Sequence, residues 1–195
     1  MFRSRRLFST LKTTSLNQWH KDKGARMVDF CGWEMPISYY KDSIIESHMF
    51  TRSKATIFDV SHMLQLKIAG EHRFDFLEKL VSSDIKGLKP GTGCLSLLTS
   101  KRGGIIDDTI ITSNPGHLLM VCNAGRARED IAHLNFHLDQ FKRESDKPRY
   151  VNICSTDHRN CCIRSFVTII GLVKLSIFGN LVLSADVKPL STSAC

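Results

Sequence analysis

A glycine-led motif in the middle of the chain ends in two adjacent carboxylates. Residues 103–108 read Gly-Gly-Ile-Ile-Asp-Asp, with no basic residue beside Asp107 and Asp108. Because a strand alternates its side chains between two faces, we expect these carboxylates to point opposite ways, one to a wet face and the other into a pocket. Adjacency therefore does not make them an acid/base pair. The alternative is a turn followed by a solvated strand end.

Two other short motifs accompany this pair. Residues 59–63 read Asp-Val-Ser-His-Met, and residues 121–125 read Val-Cys-Asn-Ala-Gly. Each motif is weak by itself, because short patterns recur by chance. The three together favour a functional site over a solvated strand end.

The hydrophobic pattern predicts the elements that must hold these motifs. Leu64, Leu66 and Ile68 alternate with other residues, which is typical of a half-buried strand, and Leu95 and Leu97 alternate in the same way. The other predicted elements are a strand at 57–60, an amphipathic helix at 71–82, a strand at 105–112 after a hairpin turn at 100–104, a strand at 118–121 after a turn at 114–116, and a helix after Gly125 with Ile131, Leu134, Leu138 and Phe141 on its apolar face.

The segment before these elements has a pattern of its own. Apolar residues at 24–36 lie between glycine and proline, which predicts a short strand and then a turn. Helical spacing begins at Ile44, directly after the start signal Ser43, and predicts a helix that ends near Arg52.

The composition is that of a soluble globular protein. The 195 residues suffice for one or two domains with a real core, and 42% of them are hydrophobic and 24% charged. The formal charge is +8, but the segment 1–20 holds four basic and no acidic residues, so the remainder carries +4. That remainder has no basic stripe interleaved with aromatic residues, which argues against nucleic-acid binding.

The segment 1–20 is typical of a mitochondrial presequence. It is rich in Arg, contains Ser and Thr, and no acidic residue occurs before Asp22. A disordered basic N-terminus is the alternative. We therefore expect a mitochondrial matrix protein, whose thiols would normally stay reduced. The seven cysteines agree with this, since an odd number without a Cys-x-x-Cys pair fits neither a disulfide framework nor a zinc ribbon.

One histidine pair has the spacing of metal ligands. His133 and His137 are four residues apart on the predicted last helix. A metal site needs a full ligand set, and the sequence places no third histidine or carboxylate to complete this one. We therefore expect an exposed helix face and no metal.

The pattern changes after residue 142. Residues 151–195 hold four of the seven cysteines, and the run 165–185 contains only one charge, Lys174. The run has the length of a membrane span, but a central lysine costs about 2.5–3.5 kcal/mol there, so we expect no span. The sequence predicts no regular succession of strands and turns in this tail.

Four motifs together resemble the aminomethyltransferase (T-protein) family of the glycine cleavage system and, more widely, the folate-dependent enzymes that share its fold. They lie at residues 27–36 (Met-Val-Asp-Phe-Cys-Gly-Trp-Glu-Met-Pro), 58–63 (Phe-Asp-Val-Ser-His-Met), 103–108 and 123–125 (Asn-Ala-Gly). They occur in the family's order and at close to its spacing, over about residues 16–141. The predicted mitochondrial leader agrees with this resemblance.

The resemblance implies a fold and a reaction. The implied fold class is α+β, with mixed or antiparallel sheets and flanking helices. In the family, a carrier called the H-protein brings an aminomethyl group on its lipoyl sulfur, tetrahydrofolate accepts the one-carbon unit as 5,10-methylenetetrahydrofolate, and ammonia leaves. The implied cofactors are thus tetrahydrofolate and the lipoyl group of the H-protein, and the H-protein is the implied partner.

The resemblance also implies site residues. Asp108, the second Asp of its motif, corresponds to a residue beside the reacting folate nitrogens, where a carboxylate can hydrogen-bond an N–H and stabilise an adjacent iminium; such a group contributes about 10²–10⁴-fold. Met63 and Leu95 would line the pterin pocket. Val121 and Asn123 would meet the pterin edge through backbone and side chain, since an Asn amide offers both a donor and an acceptor.

Four segments follow from this interpretation: a presequence at 1–20, the N-terminal part of a split first domain at 21–55, an α+β folate-pocket domain at 56–142, and a tail at 143–195 without a family counterpart. Family members continue further and add a C-terminal β-barrel. We therefore expect a shortened form whose tail comes from a different splice form or reading frame. The alternatives to an active aminomethyltransferase are a catalytically inactive truncated product or partial binding module and, last, a membrane-tethered protein.

Overall fold

The computed structural model describes residues 10–40, 42–54, 56–145, 147–155, 167–170 and 188–189. These residues fall into two compact units, the first within 1–62 and 162–195 and the second within 63–161. The predicted folate-pocket segment at 56–142 therefore has residues 56–62 in the first unit and residues 63–142 in the second.

The first unit begins with a small sheet and two helices. Its elements are β1 (Lys12–Thr13), α1 (Asn17–Asp22), β2 (Ala25–Phe30), β3 (Trp33–Tyr39), α2 (Ile44–Ser53) and β4 (Thr56–Asp59). β3 is the central strand, parallel to β1 and antiparallel to β2.

Residues 24–36 form part of a hairpin, where the sequence predicted one strand and a turn. The hairpin turn falls at Cys31 and Gly32, whose φ angles are 52° and 81°. Pro36 lies inside β3, at a register shift between β2 and β3. A bulge tolerates a residue that has no N–H to donate, so this proline interrupts the ladder without ending the strand.

The helix predicted after Ser43 is confirmed as α2. The Ser43 hydroxyl accepts the Glu46 N–H at 3.2 Å, and the Glu46 carboxylate accepts the Ser43 N–H at 2.9 Å. This reciprocal pair is a capping box, which satisfies two backbone donors at the helix start. The helix ends at Ser53, directly after the predicted Arg52.

The second unit is built on one antiparallel sheet. Its elements are β5 (Leu64–Ala69), α3 (Arg73–Glu78), β6 (Gly93–Thr99), β7 (Ile105–Asn114), β8 (His117–Cys122), a 3-10 turn (Ala124–Arg126), α4 (Ala127–Arg143) and β9 (Asn152–Ser155). The strands lie in the order β6-β7-β8-β5-β9. The predicted α+β class, with mixed and antiparallel sheets and flanking helices, is confirmed.

One face of this sheet packs with α3 and α4 to form the core. The buried strand residues on that face alternate with exposed ones, as the period of a strand requires. The fully buried members include Leu66, Ile68, Phe76, Leu77, Leu98, Ile111, Leu118, Met120 and Leu134. The other face of the sheet is the one on which the predicted site residues lie.

α3 is shorter than the predicted helix at 71–82. It ends at Glu78, and the chain then runs beside β6, where the Ser82 N–H donates to the Leu97 carbonyl at 3.1 Å and the Thr99 N–H donates to the Leu80 carbonyl at 3.2 Å. These sheet-type bonds take backbone groups that a longer helix would need. Of the apolar residues predicted for the helix, Leu77, Leu80 and Val81 are buried and Phe74 is partly buried. Leu80 and Val81 lie in the segment that follows α3.

α4 agrees with the helix predicted after Gly125. Leu134, Leu138 and Phe141 are buried, as their spacing predicted, whereas Ile131 is partly exposed. The short 3-10 turn before α4 carries the chain away from the end of β8. This turn is what brings the start of α4 next to β7 and β8.

Strands also occur after residue 142, where the sequence predicted no regular pattern. β9 pairs antiparallel with β5 in the second unit. In the first unit, β10 (Val167–Ile170) pairs antiparallel with β4, and β11 (Lys188–Pro189) pairs parallel with it. The apolar run at 165–185 lies outside the described residues except for β10. Among the residues that are described, no helix is both long and apolar enough to cross a membrane.

Part of the predicted presequence is built into the first unit. β1 pairs with β3, the Thr14 hydroxyl donates to the Asp59 carboxylate at 2.9 Å, and His20 is buried. The presequence at 1–20 stays a prediction, and its residues 12–20 include contacts of the first unit. Residues 1–9 lie outside the described residues.

Candidate functional site

The predicted site residues meet on the open face of the five-stranded sheet. The register pairs Leu95 with Ile110 and Ile110 with Val121, so these three side chains form a row across β6, β7 and β8 on one face. Leu95 and Ile110 are 69% and 50% exposed. They offer an accessible apolar surface of the kind that a flat ring system can cover.

Asp107 and Asp108 point to opposite sides of β7, as the sequence predicted. Asp107 is 6% exposed and lies on the core side, whereas Asp108 is exposed on the open face with Ile110. A turn at 100–104 precedes them, in which Gly103 has a φ of 78° that favours glycine. The turn and the alternation together decide which carboxylate reaches solvent.

Asn123 connects the two carboxylates. It lies directly after β8, and its Nδ2 donates to Asp108 Oδ1 at 2.8 Å and to Asp107 Oδ1 at 2.9 Å. Its backbone N–H donates to Asp107 Oδ2 at 3.0 Å. Both hydrogens of the amide nitrogen are therefore used, and the amide keeps its Oδ1 as an acceptor for another group.

The remaining two predicted residues lie beside this cluster. Met63 is half-buried and lies directly before β5; extending the Leu64–Cys122 pair by one position places it opposite Asn123. The Val121 carbonyl accepts the Thr109 hydroxyl at 2.8 Å, and Val121 pairs with strands on both sides, so its side chain on the open face is what remains for a ligand.

Ile110 is a residue of this face that the sequence analysis missed. It lies between Leu95 and Val121 in the register and follows Asp108 by two positions. The signal was present, because residues two apart on a strand share a face. A strand predicted at 105–112 with Asp108 exposed already placed Ile110 beside it.

Asp130 is a second missed residue. Its carboxylate, on the first turn of α4, is fully buried, and neither oxygen has a hydrogen-bond partner among the described residues. One of its oxygens lies within 4.8 Å of a carboxylate oxygen of Asp107 and of the Cys122 sulfur. Its place four residues before Leu134, on the apolar face of the helix, was the available signal.

The electrostatics of this buried group are unusual. Burial in the first place, and then the neighbouring carboxylate of Asp107, raise the pKa of Asp130 to about 7. Burial also raises the pKa of the Cys122 thiol to about 12, so this thiol is neutral at physiological pH. Asp130 can therefore change its charge near neutrality inside the fold.

The Asp-Val-Ser-His-Met motif begins in the first unit with a hydrogen-bonded aspartate. Asp59 accepts from Thr14 Oγ1 at 2.9 Å, from His20 Nε2 at 3.0 Å, and from both the backbone N–H and the hydroxyl of Ser61. Burial alone would raise the pKa of Asp59, but the bonds from His20, Ser61 and Thr14 outweigh it and lower the pKa to about 2. This aspartate is a structural acceptor that stays ionised.

The histidine pair on α4 lies as its spacing predicted. The ring centroids of His133 and His137 are 4.5 Å apart, and burial lowers the pKa of both imidazoles. In the part of the chain that the structure describes, no third group lies close enough to join the pair as a metal ligand.

Comparison with known proteins agrees with the resemblance seen in the motifs. Residues 16–164 match the GCVT N-terminal domain family, so the match runs beyond position 142 and includes β9. The chain is 46% identical over 142 residues to the mitochondrial aminomethyltransferase of Dictyostelium discoideum and 48% identical over 143 residues to that of Mesembryanthemum crystallinum. Each alignment covers 71% of this chain and 35% of the relative, so the chain spans about a third of the length of these relatives.

A solved structure shows the same similarity. The crystal structure of glycine cleavage system aminomethyltransferase T from Bartonella henselae superposes with a TM-score of 0.65 and 32% sequence identity, covering 74% of this chain and 38% of that one. The family match covers well over half of the 195 residues, and the fold agrees with it. The chain therefore belongs to the GCVT N-terminal domain family.

Proposed function

We propose that this chain acts as an aminomethyltransferase of glycine cleavage, which transfers a one-carbon unit from the aminomethyl-lipoyl group of an H-protein to tetrahydrofolate with release of ammonia. The observation that carries the proposal is the open face of the second unit. There an accessible apolar row, Leu95, Ile110 and Val121, ends beside the hydrogen-bonded pair of Asp108 and Asn123. A pterin ring needs both an apolar platform and polar groups at its edge.

Asp108 is the proposed catalytic residue. It is exposed, and Asn123 occupies only one of its oxygens, which leaves the other to accept a substrate N–H. A carboxylate in this position makes the nitrogen of the folate more nucleophilic and stabilises the positive charge of an iminium. Asn123 holds the carboxylate in place through the hydrogen bond from its Nδ2 to Asp108 Oδ1.

The proposed folate-binding residues are Met63, Leu95, Val121 and Asn123. The first three supply apolar contact to the ring. Asn123 has both amide hydrogens engaged with Asp107 and Asp108, so it meets the pterin as an acceptor, through Oδ1. The pterin edge that lies against Asn123 must therefore present an N–H.

The proposed partner is a lipoyl-bearing H-protein, and the proposed location is the mitochondrial matrix. Both rest on family membership and on relatives that are named mitochondrial aminomethyltransferases. The basic segment 1–20 of the sequence agrees with a mitochondrial destination.

A second candidate function is a folate-binding module without turnover. The observation that favours it is the exposure of the apolar row, with Leu95 at 69% and Ile110 at 50%, because a catalytic site normally excludes water from its reacting atoms. Turnover separates the two candidates, since both bind tetrahydrofolate but only the first forms ammonia from loaded H-protein.

Calorimetry of tetrahydrofolate against the full chain tests the proposal. We expect micromolar binding, about −8 kcal/mol, which Leu95→Asp abolishes by charging the apolar row. Asp108→Asn should reduce ammonia release from loaded H-protein by about 10²–10⁴-fold with a smaller effect on affinity. Asp139→Asn, an exposed carboxylate on α4, is the matched control. A folded chain that gives no binding heat would refute the folate site.

A further inference from the structure

The buried carboxyl group of Asp130 has no role in the site as described so far. It is 0% exposed and accepts no hydrogen bond from the described residues, although it lies next to Asp107. An ionised carboxylate in such a position has lost its hydration without gaining donors, which is costly. The neutral acid avoids this cost and gains an O–H with which it can donate to a neighbouring acceptor.

The groups that face Asp130 come from four elements. They are Asp107 of β7, Cys122 of β8, Arg126 of the 3-10 turn and Glu129 of α4. Arg126 acts in the opposite direction to the others, but it is exposed and its guanidinium bonds the Ile106 carbonyl and Glu129. The surroundings as a whole favour the protonated acid, in agreement with a pKa of Asp130 raised to about 7 by burial and by Asp107.

Asp107 is the acceptor that a protonated Asp130 can reach. Each Asp107 oxygen already accepts one bond from Asn123, at 2.9 and 3.0 Å, and has a lone pair left. Because Asp107 is occupied by two N–H groups and the Cys122 thiol is neutral, the arrangement favours a shared proton over a bound cation. A hydrogen bond from Asp130 would add a third donor to the Asp107 carboxylate, from the side of α4.

We propose that Asp130 is a positioning residue for the folate site: its protonated carboxyl group donates a hydrogen bond to Asp107. This bond keeps Asp107 in place as the acceptor that orients Asn123 and, through Asn123, Asp108. This inference rests on the function proposed above. Loss of the proton puts a second negative charge beside Asp107, and the repulsion loosens its bonds to Asn123. The affinity for tetrahydrofolate therefore falls as the pH rises through neutrality.

Two measurements on the ligand-free full chain test the proton and its effect, and they do not depend on folate binding. Infrared spectra at about pH 6 and about pH 8.5, on either side of the raised pKa, should show a protonated carboxyl band only at the lower pH. The band should be present in Asp139→Asn and absent from Asp130→Asn. The side-chain amide resonances of Asn123 should shift between the same pH values in the unmodified chain and stay constant in Asp130→Asn.

Binding completes the test. The unmodified chain should bind tetrahydrofolate about tenfold more weakly at the higher pH, Asp130→Asn should bind equally at both, and Asp130→Ala, which has no donor, should bind about tenfold more weakly at both. An Asp130→Asn variant that keeps the infrared band, or that keeps the pH dependence of the Asn123 resonances, overturns the inference. Absence of all folate binding overturns the proposed function, and the infrared and Asn123 results then still decide whether Asp130 shares its proton and orients Asn123.

Discussion

Two buried aspartates of this protein, Asp59 in the first unit and Asp130 in the second, have opposite surroundings. Asp59 accepts four hydrogen bonds, and its pKa is lowered to about 2. Asp130 accepts none from the described residues, and its pKa is raised to about 7. Burial acts on both in the same direction, so the number of donors decides whether the pKa of the carboxyl group falls or rises.

Asp59 is thus a structural aspartate, whereas Asp130 can respond to its environment. Around Asp59 the donors form a continuous chain, because His20 Nε2 bonds Asp59 and His20 Nδ1 bonds the Tyr39 hydroxyl at 2.7 Å. Each of these polar groups has a hydrogen-bond partner, and the pKa of the Asp59 carboxyl stays at about 2. Around Asp130 one proton decides whether the nearest contact is a hydrogen bond or a repulsion, which is a property expected of functional sites.

The largest effect that we predict is on the Asp59 network. Asp59→Ala leaves the Thr14 hydroxyl, His20 and Ser61 without their buried acceptor, and we expect a loss of about 3–5 kcal/mol in the free energy of unfolding. Urea denaturation followed by circular dichroism measures it. Asp22→Ala, an exposed aspartate on α1, should change the free energy by less than about 0.5 kcal/mol. Equal losses in Asp59→Ala and Asp22→Ala would show that the buried hydrogen bonds of Asp59 add no stability.

The next effect has the opposite sign. The folded-state pKa of Asp130 lies above its unfolded value, so the folded chain holds the extra proton and its stability falls as the pH rises from about 4 to about 7. Asp130→Asn removes this loss and should be more stable than the unmodified chain at pH 8, by about 4 kcal/mol at most. Melting temperatures at pH 5 and pH 8 measure the difference, and a variant that is less stable at pH 8 would contradict the assigned protonation.

For Asp59 the pH dependence of stability should have the opposite direction. Its folded-state pKa lies below the unfolded value, so its contribution is present above about pH 4 and is lost as the pH falls towards 2. The shift corresponds to about 2–3 kcal/mol. Denaturation of the unmodified chain and of Asp59→Asn between pH 6 and pH 2 should converge at the acid end. Parallel curves would show that Asp59 titrates normally in the folded chain.

A smaller effect tests a single donor. Ser61→Ala removes one hydroxyl from Asp59 while the Ser61 backbone N–H remains, so we expect a loss of about 1 kcal/mol and a higher pKa for Asp59. Carbon-13 NMR titration of the Asp59 carboxyl measures the pKa directly. Ser53→Ala serves as the control, because its hydroxyl bonds only carbonyls at the exposed end of α2. An unchanged Asp59 pKa would show that His20, Thr14 and the Ser61 backbone N–H lower it without the hydroxyl.

The positions of the site residues could be predicted from the sequence to different degrees. The opposite directions of Asp107 and Asp108 follow from the period of a strand, and the structure confirms them. Leu95 lies beside Ile110 because of the register between β6 and β7. Alternation predicts the face on which each residue lies, but it does not predict its partner on the neighbouring strand. Asp130 joins the site only because the 3-10 turn brings α4 against β7 and β8.

The errors in the sequence analysis have similar causes. The helix predicted at 71–82 ended at Glu78 because backbone groups near Val81 found partners on β6. The sequence predicted no regular pattern after residue 142, but β9 forms there by pairing with β5. In both cases local composition was interpreted correctly, but pairing with a distant strand decided the outcome.

The sequence by itself determined the strands and the helix that carry the site residues, the family, and the opposite directions of Asp107 and Asp108, because local periodicity and short motifs carry that information. Only the tertiary structure decided that Leu95, Ile110 and Val121 form one row and that Asp130 lies against Asp107. It also decided that the pKa of one buried aspartate is lowered to about 2 and that of the other is raised to about 7. Charge state depends on the groups within a few ångströms, and those groups come from residues far apart in the chain.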